Sequence, residues 1–385
     1  MTAPAGSDTP AEAPDGAARP SRRRAAPGWW AAPGWWAVRR WLAAPRWPIT
    51  RGQRAARGRQ AEPRRRAVPR WRAVPRWRRG RVPAALGLLT ALALGGHRLV
   101  PELGVGLGSL WESALPWSAL VAVAALLCAA LRRAPAPACA GGVLAVVWAV
   151  AFGPLLLGGG APAHGASTGG TGGPGLTVVT HNVNAANPDP AGTARALLAA
   201  DPDLVALEEV TDAALPAYQG VLDKALPHHA RTGTVALWSR YPVTESRRLV
   251  IDPGWNRSLR AEVSAPGGPL AVYVAHLASV RMTATGFATA HRDRDIAALG
   301  QALDAEPLRR VLLLGDLNTA ADDRALAPLT SRLTPARSGF GFSWPSALPL
   351  ARIDHILTRD LPATATWTLP ATPSDHRPVA ARLRG

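Results

Sequence analysis

In the C-terminal half of the chain, short stretches hold the side chains that divalent-metal phosphoester chemistry requires: hard oxygen ligands, a base for water and donors for a phosphoryl oxygen. They are Thr180-His181-Asn182-Val183-Asn184, Glu208-Glu209, Ser239-Arg240-Tyr241-Pro242, His276, Gly315-Asp316-Leu317-Asn318, Arg352-Ile353-Asp354-His355 and Ser374-Asp375-His376. Each has a plain reading when taken singly. An Asn after a strand is a turn residue, and a lone His at a strand end is a packed one. Gly315 permits a tight turn, and Asp316 and Asn318, two apart, can face one side of a site.

Most of these residues stand where apolar runs end. Leu176–Val179, Leu204–Leu207, Val235–Trp238, Leu270–Val274 and Val311–Leu314 read as short strands, with helical patterns over Ala191–Ala200 and His291–Leu303. An α/β domain with polar residues clustered at its strand ends is therefore expected, which is where active sites are commonly built. Glu208 and Glu209 are neighbours on one strand, so alternation prevents both from facing the site.

Taken in order, the stretches resemble the endonuclease/exonuclease/phosphatase family, in particular its membrane-anchored bacterial branch. The likeness covers residues 176–385. Gly315-Asp316-Leu317-Asn318 stands for the family's Gly-Asp-Phe-Asn, Glu208-Glu209-Val210 for Gln-Glu-Val, and Ser239-Arg240-Tyr241-Pro242 for a structural turn. The resemblance implies a two-sheet β-sandwich flanked by helices in four layers, binding Mg2+ or Mn2+. It makes Glu209, Asn182 and Asp375 metal residues, with Asp316 and Asn318 positioning water and phosphate. His376 becomes the general base, Asp354 its orienting partner, and His276 a phosphate donor or leaving-group acid. Arg257 is a candidate substrate contact, and Asn256 and Arg260 are further candidate phosphate contacts; His181 and His355 stand at usual aromatic positions and receive no role.

The rest of the chain is of a different character. Of a net charge of +18, residues 1–82 carry 20 Arg against 4 acids, whereas residues 176–385 are nearly balanced, with 21 basic and 20 acidic side chains. That balance weakens a nucleic-acid reading of the catalytic region. Residues 1–81 repeat AAPGWW and RAVPRW, and their Arg, Pro and Trp content predicts a disordered tail suited to a membrane surface. Three apolar stretches follow, Val82–Val100, Leu115–Leu131 and Ala134–Leu157, of which two to three are expected to span a bilayer. With all three spanning, the Arg-rich tail and Arg132-Arg133 would stay inside and the catalytic domain outside; if the first does not span, the domain returns to the cytoplasm. Residues 158–175, rich in Gly, read as a flexible tether. The only cysteines, Cys128 and Cys139, precede the catalytic region, so it has no disulfide of its own.

These features point to a membrane-anchored phosphoesterase in the cell membrane, hydrolysing a phosphate ester or anhydride of a lipid-linked phosphate such as undecaprenyl diphosphate. The alternatives are a surface nuclease acting on DNA and a catalytically vestigial tethered binding module. No protein partner is implied.

Overall fold

The computed structural model describes residues 80–101, 106–157, 175–284 and 286–384; the tail through residue 79 and the linker through residue 174 lie outside them. The apolar runs become the inner strands of two sheets. One has the order β13-β14-β1-β2-β4-β3 and is built from β1 (Leu176–Asn182), β2 (Leu204–Glu208), β3 (His228–Thr232), β4 (Val235–Ser239), β13 (Ala363–Thr368) and β14 (Val379–Leu383). The other has the order β11-β12-β10-β7-β6-β5, from β5 (Val243–Arg248), β6 (Ser258–Ala265), β7 (Gly268–Ala275), β10 (Val311–Asp316), β11 (Thr334–Pro335) and β12 (Asp354–Arg359). A hairpin of β8 (Arg281–Thr283) and β9 (Gly286–Ala288) stands apart.

The parallel pairs β1–β2 and β7–β10 explain the continuous apolar runs, because their strands are covered on both faces. Along β10, Leu312 and Leu314 enter the core between the sheets, while Val311 and Leu313 join the layer under α7 (Ala290–Asp304) and α8 (Ala327–Thr330). Val179, Val205 and Leu207 pack outward under α5 (Pro190–Leu198) and α6 (Leu215–Leu222). The layers are thus helix, sheet, sheet, helix, as expected. Each buried leucine contributes about 2 kcal/mol. The helix α5 starts where Pro190 follows Asp189, whose side chain accepts from the Gly192 amide.

Four helices precede the sandwich: α1 (Arg81–Gly95), α2 (Leu107–Ala114), α3 (Ser118–Arg132) and α4 (Pro135–Leu157). The first apolar stretch is helical only to Gly95, and at ~1.5 Å per residue α1 is shorter than the ~30 Å hydrocarbon core. The stretch expected to link the first two segments, Pro101–Ser113, is helical from Leu107 onward. Its apolar Leu107, Leu110, Trp111 and Ala114 recur at helical spacing, and α2 runs through a 3-10 turn at Leu115–Trp117 into α3. Among the described residues, two helices are therefore long and apolar enough to cross a membrane, Leu107–Arg132 and Pro135–Leu157. Only 28% and 22% of their most apolar windows are buried, which leaves most of their sides uncovered, unlike a core helix.

The start of α1 and the α3–α4 turn share one end of the bundle: Gly80 packs on Pro137, beside Arg133 with its φ of 48°. The sandwich meets the other end. There Glu112 of α2, fully buried, accepts from the Arg324 backbone amide at 2.8 Å and from its guanidinium at 3.0–3.1 Å, with His97 Nδ1 3.0 Å away. Ser109 donates to Asp323 at 2.7 Å, and Arg292 bonds both. Phe340 packs against Phe152 and Phe342, while Trp117 stacks on Phe342 and donates to the Leu350 carbonyl.

Candidate active site

The register of the sheets brings the singled-out residues to one end of the sandwich. Asn182 closes β1 opposite Glu208 of β2, Asp316 closes β10 opposite Asp354 at the start of β12, and His276 directly follows β7. The Asn182 side-chain amide joins the two sheets, donating to Asp316 Oδ2 at 3.0 Å and Glu209 Oε1 at 3.2 Å. Local backbone geometry sets these directions. Gly315 has a φ of 146°, and a Cβ there would collide with the Ala275 carbonyl, so β10 approaches β7 as only glycine allows. Asn318, with a φ of 48°, donates its backbone amide to Asp316 Oδ1 and its side-chain amide to the Leu277 carbonyl.

The two glutamates separate cleanly. Glu208 follows the strand inward and is fully buried, with Thr180 donating to one oxygen and the other unpartnered. Burial, then the charges of Asp354 and Asp316, push its pKa well above the usual range, which favours the protonated form. Glu209 leaves the strand with a φ of 63°, which turns it into the site, where it also accepts from the Ala185 amide at 2.9 Å.

His376 lies in the loop before β14. Its Nδ1 is 2.9 and 3.1 Å from the two oxygens of fully buried Asp354, and its Nε2 is 3.7 Å from Asp316 Oδ2. Burial opposes the imidazolium, but Asp354 and Asp316 outweigh it and raise the pKa to about 10. Nδ1 is thus held as a donor and Nε2 faces the site. His276 Nε2 is 3.7 Å from Asp316 Oδ2 and 3.9 Å from Glu209 Oε1, and burial pulls its pKa down. The buried His181 and His355 are likewise pulled down by burial, to about 3 and 4, and they bond Thr372 and the Thr319 carbonyl.

The donor set fits a hard divalent cation. Glu209 and Asp316 oxygens converge on the single Asn182 amide, and burial with the Asp354 charge raises the Asp316 pKa, a strain that positive charge relieves. Asp316, Asp354 and His376 also lie within 4.8 Å of one another, but the Asp354–His376 hydrogen bonds commit that pair to each other.

The sequence profile described as Endonuclease/Exonuclease/phosphatase family matches residues 179–376, half of the chain. The chain belongs to this family. It is a hydrolase of phosphoester bonds. Structures similar to it include sphingomyelinase C from Streptomyces griseocarneus, at 20% identity and a TM-score of 0.44, covering 54% of this chain and 99% of that one. Beta toxin from Staphylococcus aureus with bound magnesium ions has 17% identity and a TM-score of 0.44, over 54% and 99%. A humanised D. rerio TDP2 has 19% identity and a TM-score of 0.45, over 55% and 99%. No curated protein matches the chain.

The remaining family positions occupy the rim of the site. Asp375 is exposed and stands outside the tight cluster, its Oδ1 accepting from Asn184 at 3.0 Å. Arg257 is half-buried, its guanidinium carbon 3.5 Å from the Trp255 ring centroid, and it feels the charges of Glu209 and Asp316. Asn256 is exposed beside it. Arg260, expected as a further phosphate contact, is instead buried in ion pairs with Glu306 and Glu245, because β6 turns it away from the strand ends. Three supporting residues have no role assigned from the sequence, although Asn184 and Ser374 stand within its motifs. Asn184 braces Asp375, Ser343 lies 3.4 Å from the Asp354 amide, and Ser374 bonds the Asn182 carbonyl at 2.7 Å while accepting from the His376 amide. Ser374 at least lies two residues before His376, the spacing of a side-chain turn.

Proposed function

We propose that the chain is a membrane-anchored, Mg2+- or Mn2+-dependent phosphoesterase that hydrolyses a phosphate ester or anhydride of a lipid-linked phosphate, with His376 as general base. The observation that carries it is the Asp354–His376 pair, with Nδ1 locked and Nε2 free to face a water beside Asp316. Glu209, Asn182 and Asp316, with Asp375 at the rim, would hold a divalent ion, which would supply a Lewis acid for the phosphoryl oxygen. With the Asp316 charge neutralised, so that His376 is no longer held protonated, Nε2 would take the proton of the attacking water, and Asp354 would stabilise the imidazolium. Asn318 and Asp316 orient water and phosphate, His276 donates to the phosphoryl or leaving oxygen, and Arg257 binds the substrate phosphate.

Anchoring is supported by the two long apolar helices with uncovered sides. The orientation with the domain outside requires α1 to cross with them, and charge favours it: Arg132 and Arg133 lie at the bundle end opposite the sandwich, as does the start of α1. The division into tail, helices at 82–157, linker and catalytic domain from 176 belongs to this reading.

The test uses the full chain in detergent with Mg2+, measuring phosphate release from undecaprenyl diphosphate in mixed micelles beside nicking of supercoiled plasmid. Release that is abolished by EDTA, restored by Mg2+ or Mn2+, and lost in Asp316→Ala and His376→Ala supports the proposal. Nicking without release makes the chain a surface nuclease, and inactivity with every divalent metal makes the domain a vestigial binding module.

A further inference from the structure

The contacts described between helices and sandwich all fall on segments that flank the catalytic residues. Asp323 and Arg324 follow Asn318 by a few residues, Phe340, Phe342 and Leu350 lie in the loop leading to Asp354, and Arg292 follows the β8–β9 hairpin after His276. Gly106, just before α2, touches the Phe287 carbonyl of that hairpin. The bundle therefore abuts the catalytic end of the sandwich, not its far end.

The apolar surface is placed in the same way. Among the described residues from 175 onward, the exposed large hydrophobic side chains are Val250, Trp255, Met282, Trp344, Leu348 and Leu350. All lie on three connections at the catalytic end: β5 to β6, β7 to α7, and the loop before β12. Exposed apolar side chains scatter on an ordinary soluble surface, whereas these gather beside helices whose own sides are uncovered. Arg281, exposed next to Met282, sets a cation at the level of headgroup phosphates, and tryptophans favour that interface.

We infer that the catalytic end of the sandwich rests on the membrane leaflet it faces, with these loops in the interfacial zone, and that its substrate is a phosphate carried by a lipid of that same leaflet. This rests on the reading of Leu107–Arg132 and Pro135–Leu157 as membrane spans. The leaflet is the favoured occupant, because the apolar loops continue the apolar sides of α3 and α4 through Trp117, Phe342 and Phe340. Substrate then arrives by lateral diffusion within that leaflet.

The test labels single cysteines with an environment-sensitive fluorophore in the full chain, after Cys128→Ser and Cys139→Ser. Leu348→Cys and Met282→Cys report on the catalytic end, and Arg309→Cys, on the connection into β10, reports on the far end. In vesicles of phosphatidylcholine and phosphatidylglycerol containing doxyl-labelled lipid, quenching several-fold stronger at 348 and 282 than at 309 is expected. In parallel, Met282→Glu with Leu348→Glu should lower turnover of undecaprenyl diphosphate in vesicles by about tenfold, the factor that ~1.4 kcal/mol of interfacial binding gives. Turnover of soluble bis(p-nitrophenyl) phosphate should be unchanged.

Equal quenching at all three positions in a chain that resists carbonate extraction overturns the inference and leaves the anchor standing. Release of the chain by carbonate overturns both. Shielding of 348 and 282 that depends on protein concentration, without lipid quenching, assigns the surface to a second copy and also overturns it.

Discussion

Asp316→Asn should move the titration of His376 by about three pH units in the metal-free protein. The carboxylate oxygen lies 3.7 Å from His376 Nε2, and both groups are buried. At an effective dielectric constant of ~20, a unit charge at that distance stabilises the imidazolium by about 4 kcal/mol, or roughly three units of pKa. With Asp354 retained, the pKa of about 10 should fall to ~7. Because the folded value lies above the unfolded ~6.5, the stabilising contribution of His376 is complete below that pH and is lost as pH rises through about 10. In the variant the loss should end about three units lower. Asn keeps the oxygen that accepts from the Asn318 amide, so the fold should survive. The assay is imidazole nitrogen NMR on histidine-labelled protein between pH 5 and 11 in EDTA. A His376 titration unmoved by the substitution would refute the electrostatic account, and with it the assignment of Nε2 as the site-facing atom.

Asp354→Asn should reduce kcat by roughly 10³–10⁴ with little change in KM, as buried carboxylates that orient a catalytic imidazole do elsewhere; steady-state kinetics on a soluble phosphodiester checks this, and a loss confined to KM would count against it. Glu208→Gln should leave activity and stability nearly unchanged, since burial favours the protonated side chain bonded to Thr180, whereas a large loss would mean that it works as a carboxylate. Glu112→Ala should destabilise the docked domain by about 3 kcal/mol, because it strands Arg324 without its buried partner. Thermal unfolding in detergent should then shift down by roughly 6–12 °C.

Much of the catalytic end was legible because its strands are buried on both faces and stop abruptly. Val311–Leu314 running into Gly315-Asp316 marks a strand and its functional end with one pattern, and all five apolar runs became inner strands. The half-exposed β5, with Val243 followed by Thr244, Glu245, Ser246, Arg247 and Arg248, carries no such run, because its pairing with β6 and not its composition makes it a strand. Alternation showed that Glu208 and Glu209 had to part, but the positive φ that decides which one enters the site is a property of the folded turn. The role of Glu112 was hidden for the same reason. Its partner Arg324 is 212 residues away, and nothing local distinguishes it from a solvated loop acid. Arg260 misled because proximity in sequence to Arg257 says nothing about which end of β6 its guanidinium reaches.

A bundle that abuts the sandwich at its catalytic end changes what concentration means for this enzyme. If protein and substrate share one leaflet, as proposed, turnover should follow the mole fraction of substrate in the plane and not its amount per volume. Diluting the substrate with inert phospholipid should slow the reaction at constant bulk concentration, whereas adding water should not. Vesicles loaded with substrate but lacking the protein should remain intact when mixed with vesicles that carry it.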